Sequence, residues 1–173
     1  MAHIWYDTLF SPYLMFIRVL HEYFNIPTKE NLLTPYDITD GRYSNLKYQT
    51  DAVQLALRSL ENHSGAIIAD VVGLGKSVIA STVARNLPLR TIIVCPPHLC
   101  KQWAGYRDEF GFKASVFSAG KIEEALLHYQ ELKKPDEKFL IILDEAHRFR
   151  NEYTLDYALL HNLCIGNKVL LLT

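Results

Sequence analysis

The sequence predicts one doubly wound α/β domain, a mainly parallel sheet with helices on both faces. Apolar runs of strand length alternate with amphipathic helical stretches, the pattern of a parallel sheet covered on both sides. Hydrophobic residues make up 49% of the chain and charged residues 21%, enough apolar surface to bury a core. At 173 residues there is room for one compact domain and an accessory segment.

Ser11-Pro12 supplies a helix N-cap and a first-turn proline, and Leu14, Ile17, Arg18 and His21 continue at helical spacing to Phe24. This helix is apolar on nearly every side, so it packs on the main domain or on a neighbouring one. From Ile26 to Tyr43, Pro27, Pro35 and Asp40-Gly41 break any period, so residues 1–43 read as an N-terminal helical segment and connector. The main domain spans residues 44–173. Its strands are expected at Ala66 to Ala69, Thr91 to Cys95, Ala114 to Phe117, Phe139 to Leu143 and Lys168 to Leu172. Ahead of the first strand Val53, Ala56, Leu57 and Leu60 share one helical face, and after it Val78, Ile79, Thr82 and Val83 share another.

The composition narrows the function classes. A net charge of -1 argues against a surface that holds nucleic acid by bulk electrostatics, so any such contact is local. Cys95, Cys100 and Cys164 form no metal-ligand pattern, and an odd number suits a reducing compartment better than a disulfide framework. They read as buried or indifferent thiols. The start MAHIWYDTLF lacks the basic residues and unbroken apolar stretch of a secretory signal. The run from Tyr13 to Leu20 is interrupted by Arg18 and is far short of the ~20 residues a membrane span needs. A soluble intracellular protein with no membrane partner is expected, cytoplasmic or, in a eukaryote, nuclear.

Two motifs carry chemistry. Asp70-Val71-Val72-Gly73-Leu74-Gly75-Lys76-Ser77 follows a strand and opens a helix, as a phosphate-binding loop must. Glycines let successive N–H groups converge on phosphate oxygens, with the positive end of the helix behind them. Lys76 would neutralise β- and γ-phosphates and the Ser77 hydroxyl would ligate Mg2+. The strict consensus wants glycine where Asp70 stands. The second motif, Phe139 to His147, is a buried strand ending in two carboxylates. At the carboxyl edge of a parallel strand they face the same crevice as the loop. Asp144 can hold Mg2+ through water, and Glu145 can orient and deprotonate an attacking water.

Asp144-Glu145-Ala146-His147 matches the DEAH motif, and its extension through Arg148-Phe149-Arg150-Asn151 resembles Swi/Snf-like superfamily-two helicases and ATPases. In that family the loop reads much like Asp70 to Ser77. Thr91 to Leu99, followed by Gln102-Trp103 and Glu109-Phe110, is similar to the family's next motif, a strand ending in a proline turn beside the nucleic-acid path. Leu46-Lys47-Tyr48-Gln49 resembles the stretch whose glutamine reads the adenine edge; otherwise Gln49 is an exposed helix residue. The resemblance spans Leu46 to Thr173.

It implies a RecA-like P-loop NTPase lobe that binds ATP and Mg2+ through Gln49, Val72, Gly73, Leu74, Gly75, Lys76 and Ser77, with Lys76, Asp144 and Glu145 catalytic. His147 would link the ATP site to the following motif, and Thr173 looks like the first letter of the motif that couples two lobes. Pro96, Pro97 and His98 are the nucleic-acid candidates, in a loop at a strand's carboxyl edge that can present N–H groups to phosphates. The basic pair Arg148 and Arg150 could contact a neighbouring domain or DNA, whereas Lys133-Lys134 reads as a solvated helix end. Trp103 reads as core packing rather than a base-stacking platform, with Phe110 one face-repeat away. The implied whole is an ATP-dependent translocase on duplex DNA, held weakly by this lobe alone and completed by a second RecA-like lobe that the chain lacks. A phosphate-loop switch ATPase would share the loop and carboxylates, but not the proline turn from Cys95 to Leu99. A non-catalytic scaffold would not need Lys76, Asp144 and Glu145 intact.

Overall fold

Residues 31–69 and 75–173 are described by a computed structural model. The helix expected from Ser11 to Phe24, and Asp70, Val71, Val72, Gly73 and Leu74 of the loop, lie outside the described residues. Five strands, β1 (Gly65–Ile68), β2 (Arg90–Cys95), β3 (Ala114–Ser118), β4 (Phe139–Leu143) and β5 (Lys168–Leu172), form one sheet in the order β1-β5-β4-β2-β3. Every pairing is parallel. Six α-helices are described: α1 (Pro35–Ile38), α2 (Lys47–His63), α3 (Lys76–Asn86), α4 (Cys100–Phe110), α5 (Ile122–Leu132) and α6 (Leu155–Cys164). Each expected strand is present, with ends moved by one residue at β1, β2 and β3.

Side chains alternate across a strand, so each strand feeds two cores. Ile93, Leu140, Ile142 and Leu170 face one side, where Leu57 and Leu60 of α2, Ile79 of α3 and Trp103 of α4 cover them. Ile92, Val94, Ile141 and Leu143 face the other, against Ala125 of α5 and Leu163 of α6. The connections β1-α3-β2 and β2-α4-β3 therefore lie on one face, and β3-α5-β4 and β4-α6-β5 on the other, which is double winding. Helix α3 runs between α2 and α4, so Val78 to Ala84 are all buried and its expected apolar face widens to the whole circumference. Its buried Thr82 hydroxyl returns a hydrogen bond to the Val78 carbonyl at 2.8 Å, so it carries no unmet donor.

The sequence suggests a connector as far as Tyr43, and its described part, from Asn31, belongs to the same compact unit as the sheet. Thr34 caps α1: its hydroxyl accepts from the Asp37 N–H at 3.3 Å, and the Asp37 carboxylate accepts from the Thr34 N–H at 2.9 Å. Pro35 sits in the first turn, where its missing N–H costs nothing. Asn86 of α3 bonds both the N–H and the carbonyl of Leu33, and the Tyr43 ring lies 5.3 Å from that of Phe110. Proline and the Asp-Gly pair ended the periodic pattern, but a capped four-residue turn needs no period.

The two-faced core makes a direct test. Ile141→Ala and Ile142→Ala empty opposite sides of the same strand, at positions with no exposure. Each should cost about 2–5 kcal/mol in urea unfolding, whereas Leu127→Ala on the outer side of α5 should stay within about 0.5 kcal/mol. A mild effect at either isoleucine would mean that one side of β4 is solvated.

Candidate functional site

In an open parallel sheet, ligands bind outside the carboxyl ends of the strands, where neighbouring strands send their connections to opposite faces. Here β2 and β4 are such neighbours. Pro96 to Leu99 leave β2 toward α4, while Asp144 and Glu145 leave β4 toward α6. Strand β1, which leads into α3, ends at the same edge two strands away, because β5 lies between β1 and β4.

Gly75 is the N-cap of α3 and adopts the left-handed conformation, φ 83° and ψ 36°, that a side chain would resist. A Cβ there would lie 2.6 Å from the Gln49 amide nitrogen. The glycine thus meets a second demand, close approach of a side chain from α2. Gln49 is buried rather than an exposed helix residue, and its amide donates to the Tyr48 hydroxyl at 3.4 Å. Lys76 and Ser77 are the first two residues of α3, both partly buried, at the helix end whose backbone N–H groups and dipole favour an anion.

Asp144 is 7% exposed and is held from three directions. Its Oδ2 accepts from the indole N–H of Trp103 at 2.8 Å, its Oδ1 accepts from the Glu145 N–H at 2.9 Å, and its own N–H donates to the Val94 carbonyl at 2.9 Å. Trp103 is 1% exposed, so it is core as its helical spacing suggests. Spacing alone missed its second task, since the bond links residues 41 apart in the chain. The available signal was that a buried indole N–H must find an acceptor. Burial pushes the nearby Cys95 thiol above its ordinary range, with Cys100 and the Asp144 carboxylate adding to the effect.

Glu145 stands in the left-handed region at φ 55°, which turns its side chain out of the line of the strand. Its Oε2 lies 3.3 Å from His147 Nδ1, and the same nitrogen lies 3.5 Å from the Thr173 hydroxyl beyond β5. Glu145, His147 and Thr173 are therefore brought together. The Ser77 hydroxyl at the start of α3 and the buried Asp144 carboxylate just past β4 are hard oxygen donors of the kind Mg2+ takes alongside phosphate and water. Each Asp144 oxygen keeps a lone pair beyond the bond it accepts. Among the described residues no group of three or more His, Cys, Asp or Glu surrounds a metal position.

The proline turn needs correction. Pro96 is buried, and neither it nor Pro97 has an N–H to offer, so neither can serve phosphate as a donor. Pro97 and His98 are exposed, and of the three only His98 carries an N–H group. Arg148 and Arg150 are exposed. Lys133 and Lys134 end α5 in solvent, the first with its ammonium 5.2 Å from the Tyr129 ring centroid. Among the described residues no helix is long and apolar enough to cross a membrane.

No family model matches the chain. It is 26% identical over 191 aligned residues to a chromodomain-helicase-DNA-binding protein 1-like of Danio rerio, covering 90% of this chain and 18% of that protein. It is 27% identical over 166 residues to the uncharacterized ATP-dependent helicase YqhH of Bacillus subtilis (strain 168), covering 86% of this chain and 29% of that protein. Protein CHROMATIN REMODELING 25 of Arabidopsis thaliana is 26% identical over 163 residues, covering 73% of this chain and 18% of its own length. The chain thus spans less than a third of each of these relatives. Its fold is that of a Sulfolobus solfataricus SWI2/SNF2 ATPase core solved in complex with dsDNA, with a TM-score of 0.63, 19% identity, and coverage of 82% of this chain and 33% of that one.

The Trp103–Asp144 bond can be weighed by a double-mutant cycle. Trp103→Phe keeps most of the ring and removes the donor, which should cost about 1.5–3 kcal/mol because the acceptor is a carboxylate. Combined with Asp144→Asn in urea unfolding, the pair should couple by at least about 1 kcal/mol. Additive effects would mean that the bond does not hold the carboxylate.

Proposed function

We propose that this relative of Swi/Snf-like helicases is the ATP-binding lobe of an ATP-dependent DNA translocase. The observation that best supports the reading is the shared edge. A left-handed glycine opening α3 and a buried carboxylate after β4, held by two hydrogen bonds, belong to strands separated by β5 alone.

The substrate is ATP, received at the turn before α3. The N–H groups of the first turn of α3 and the Lys76 ammonium take the phosphates, with Val72, Gly73 and Leu74 completing the loop. Gln49, seated against Gly75, reads the adenine edge. Ser77 and Asp144 would hold Mg2+, which neutralises phosphate charge when bound. Trp103 keeps Asp144 in one orientation, so the carboxylate needs little reorganisation. Glu145 orients the attacking water and takes its proton. The His147 ring, between Glu145 and Thr173, passes the state of that carboxylate to the end of β5.

For nucleic acid, the exposed Pro97-His98 turn is the contact nearest the site, and DNA is the proposed track. A net charge of -1 gives no general attraction, so this chain should hold DNA weakly and with a steep salt dependence. Cations that gather on the γ-phosphate during transfer are worth roughly 10³–10⁵ in rate. In the resemblance they come from a second lobe.

Two measurements test this. Mg-ATP should raise the melting temperature of the chain, and Lys76→Ala should abolish that rise; equal stabilisation of both would overturn the assignment. In steady-state assays the chain should hydrolyse ATP slowly, with hardly any acceleration by DNA. A longer protein carrying the second lobe should turn over in a DNA-dependent way, and Glu145→Gln there should lower the rate by about 10²–10⁴ while sparing ATP binding. Rapid DNA-stimulated turnover by these 173 residues alone would contradict the reading.

A further inference from the structure

Cys95 and Cys100 stand apart from the chemistry above. Cys95 is the last residue of β2, fully buried, and pairs in register with Ser118 of β3. Cys100 is the first residue of α4 and half-buried. Between them Pro96 to Leu99 fold into a single tight turn, closed by the Leu99 N–H on the Pro96 carbonyl at 2.9 Å and by the Cys100 N–H on the Pro97 carbonyl. That turn brings the two sulfurs to 3.6 Å, van der Waals contact. One thiol is fixed by the sheet and the other by a helix start, so the pair is already in register for a bond. A disulfide requires about 2.0 Å, and side-chain rotation can supply most of the difference.

We propose that Cys95 and Cys100 form a dithiol modification site, converted to a disulfide by hydroperoxides and restored by dithiol reductants. The two residues have different parts. The half-exposed Cys100 thiolate attacks a peroxide oxygen; the S–O bond forms, the O–O bond breaks, and the alcohol or water leaves with a proton. The buried Cys95 then attacks the Cys100 sulfenic sulfur, forming the S–S bond and releasing water. Two thiols lose two electrons and one hydroperoxide gains them. Such a bridge suits the transient, sensing type found in reducing compartments rather than a structural staple.

The bridge would fasten the end of β2 directly to the start of α4. Helix α4 carries Trp103 one turn on, and the fastened turn exposes Pro97 and His98. Oxidation therefore clamps the segment joining the exposed turn to the residue that holds Asp144. The thiol chemistry stands on the sulfur geometry and is read independently of nucleotide or DNA binding.

The chain is exposed to a modest excess of hydrogen peroxide under native conditions, alkylated and digested with trypsin. Cys95 and Cys100 lie together in the fragment 91–101, between Arg90 and Lys101, while Cys164 lies in 151–168. Titratable thiols should fall from three to one per chain. Fragment 91–101 should lose two hydrogens and regain them with dithiothreitol, and Cys164 should stay alkylatable. With Cys95→Ser, Cys100 should be trapped as a sulfenic acid by dimedone; with Cys100→Ser, Cys95 should remain a thiol at the same exposure. Stepwise addition of oxygens to fragment 91–101 without hydrogen loss would overturn the proposal. So would disulfides between chains, or oxidation of Cys164 at the same rate.

Discussion

Strand β5 is the last strand of the chain and is buried between β1 and β4, with its backbone committed to both. Val169 faces Gly65 and Leu172 faces Ile68 on one side, while Lys168 faces Leu140 and Leu171 faces Leu143 on the other. Every polar backbone group of β1 that points into the sheet depends on it, and an unpaired buried amide is costly. With this pairing in place, the carboxyl ends of β1, β4 and β5 come level. The end of β1, the Asp144-Glu145 pair and Thr173 then share one edge of the sheet rather than being parts scattered over roughly 100 residues of chain. The Thr173 N–H closes the register on the Ile68 carbonyl at 3.2 Å.

On that frame the polar groups meet the demands of burial. A carboxylate as enclosed as Asp144 is tolerated only when its oxygens are bonded, and here an indole and a backbone N–H do so. Both donors come from packed elements, so the carboxylate is fixed before any ligand arrives. Glu145 accepts a left-handed backbone, which costs of order 1–3 kcal/mol and diverts its side chain toward His147. Neither feature adds to the core. Both make sense for an edge arranged to act on something.

The sequence carried the sheet because strands buried on both faces are nearly continuous apolar runs, and Phe139 to Leu143 could hardly be anything else. Helix faces such as Val53, Ala56, Leu57 and Leu60 were equally plain, and all four are buried. The capped turn at Pro35 was not, since its order comes from Asn86 and Phe110, which lie far along the chain. Trp103 was legible as core but not as a hydrogen-bond donor. Its acceptor becomes visible only once β2 and β4 are known to be neighbours. The closeness of Gln49 to Gly75 is likewise a product of helix packing. The proline turn misled because a loop at the right edge was credited with donors that two of its three residues do not possess.

The described residues offer an alternative place for an anion. At the opposite, amino edge a cleft of about 590 Å³ is lined by Arg85, Arg90, Lys113 and Lys138, together with Asp136 and Glu137. There Arg90 is engaged with Glu137 at 3.4 Å, and the ends of α3 and α4 that border the cleft are the carboxyl ends, whose dipoles repel phosphate. The account therefore assigns the nucleotide to the carboxyl edge. Titrating the isotopically labelled chain with Mg-ATP and following its backbone amide resonances decides between the two. Shifts gathered at Gln49, Gly75 to Ser77, Asp144 to His147 and Thr173 are the predicted result. Shifts gathered instead at Leu87 to Arg90, Gly111 to Lys113 and Asp136 to Lys138 would contradict it.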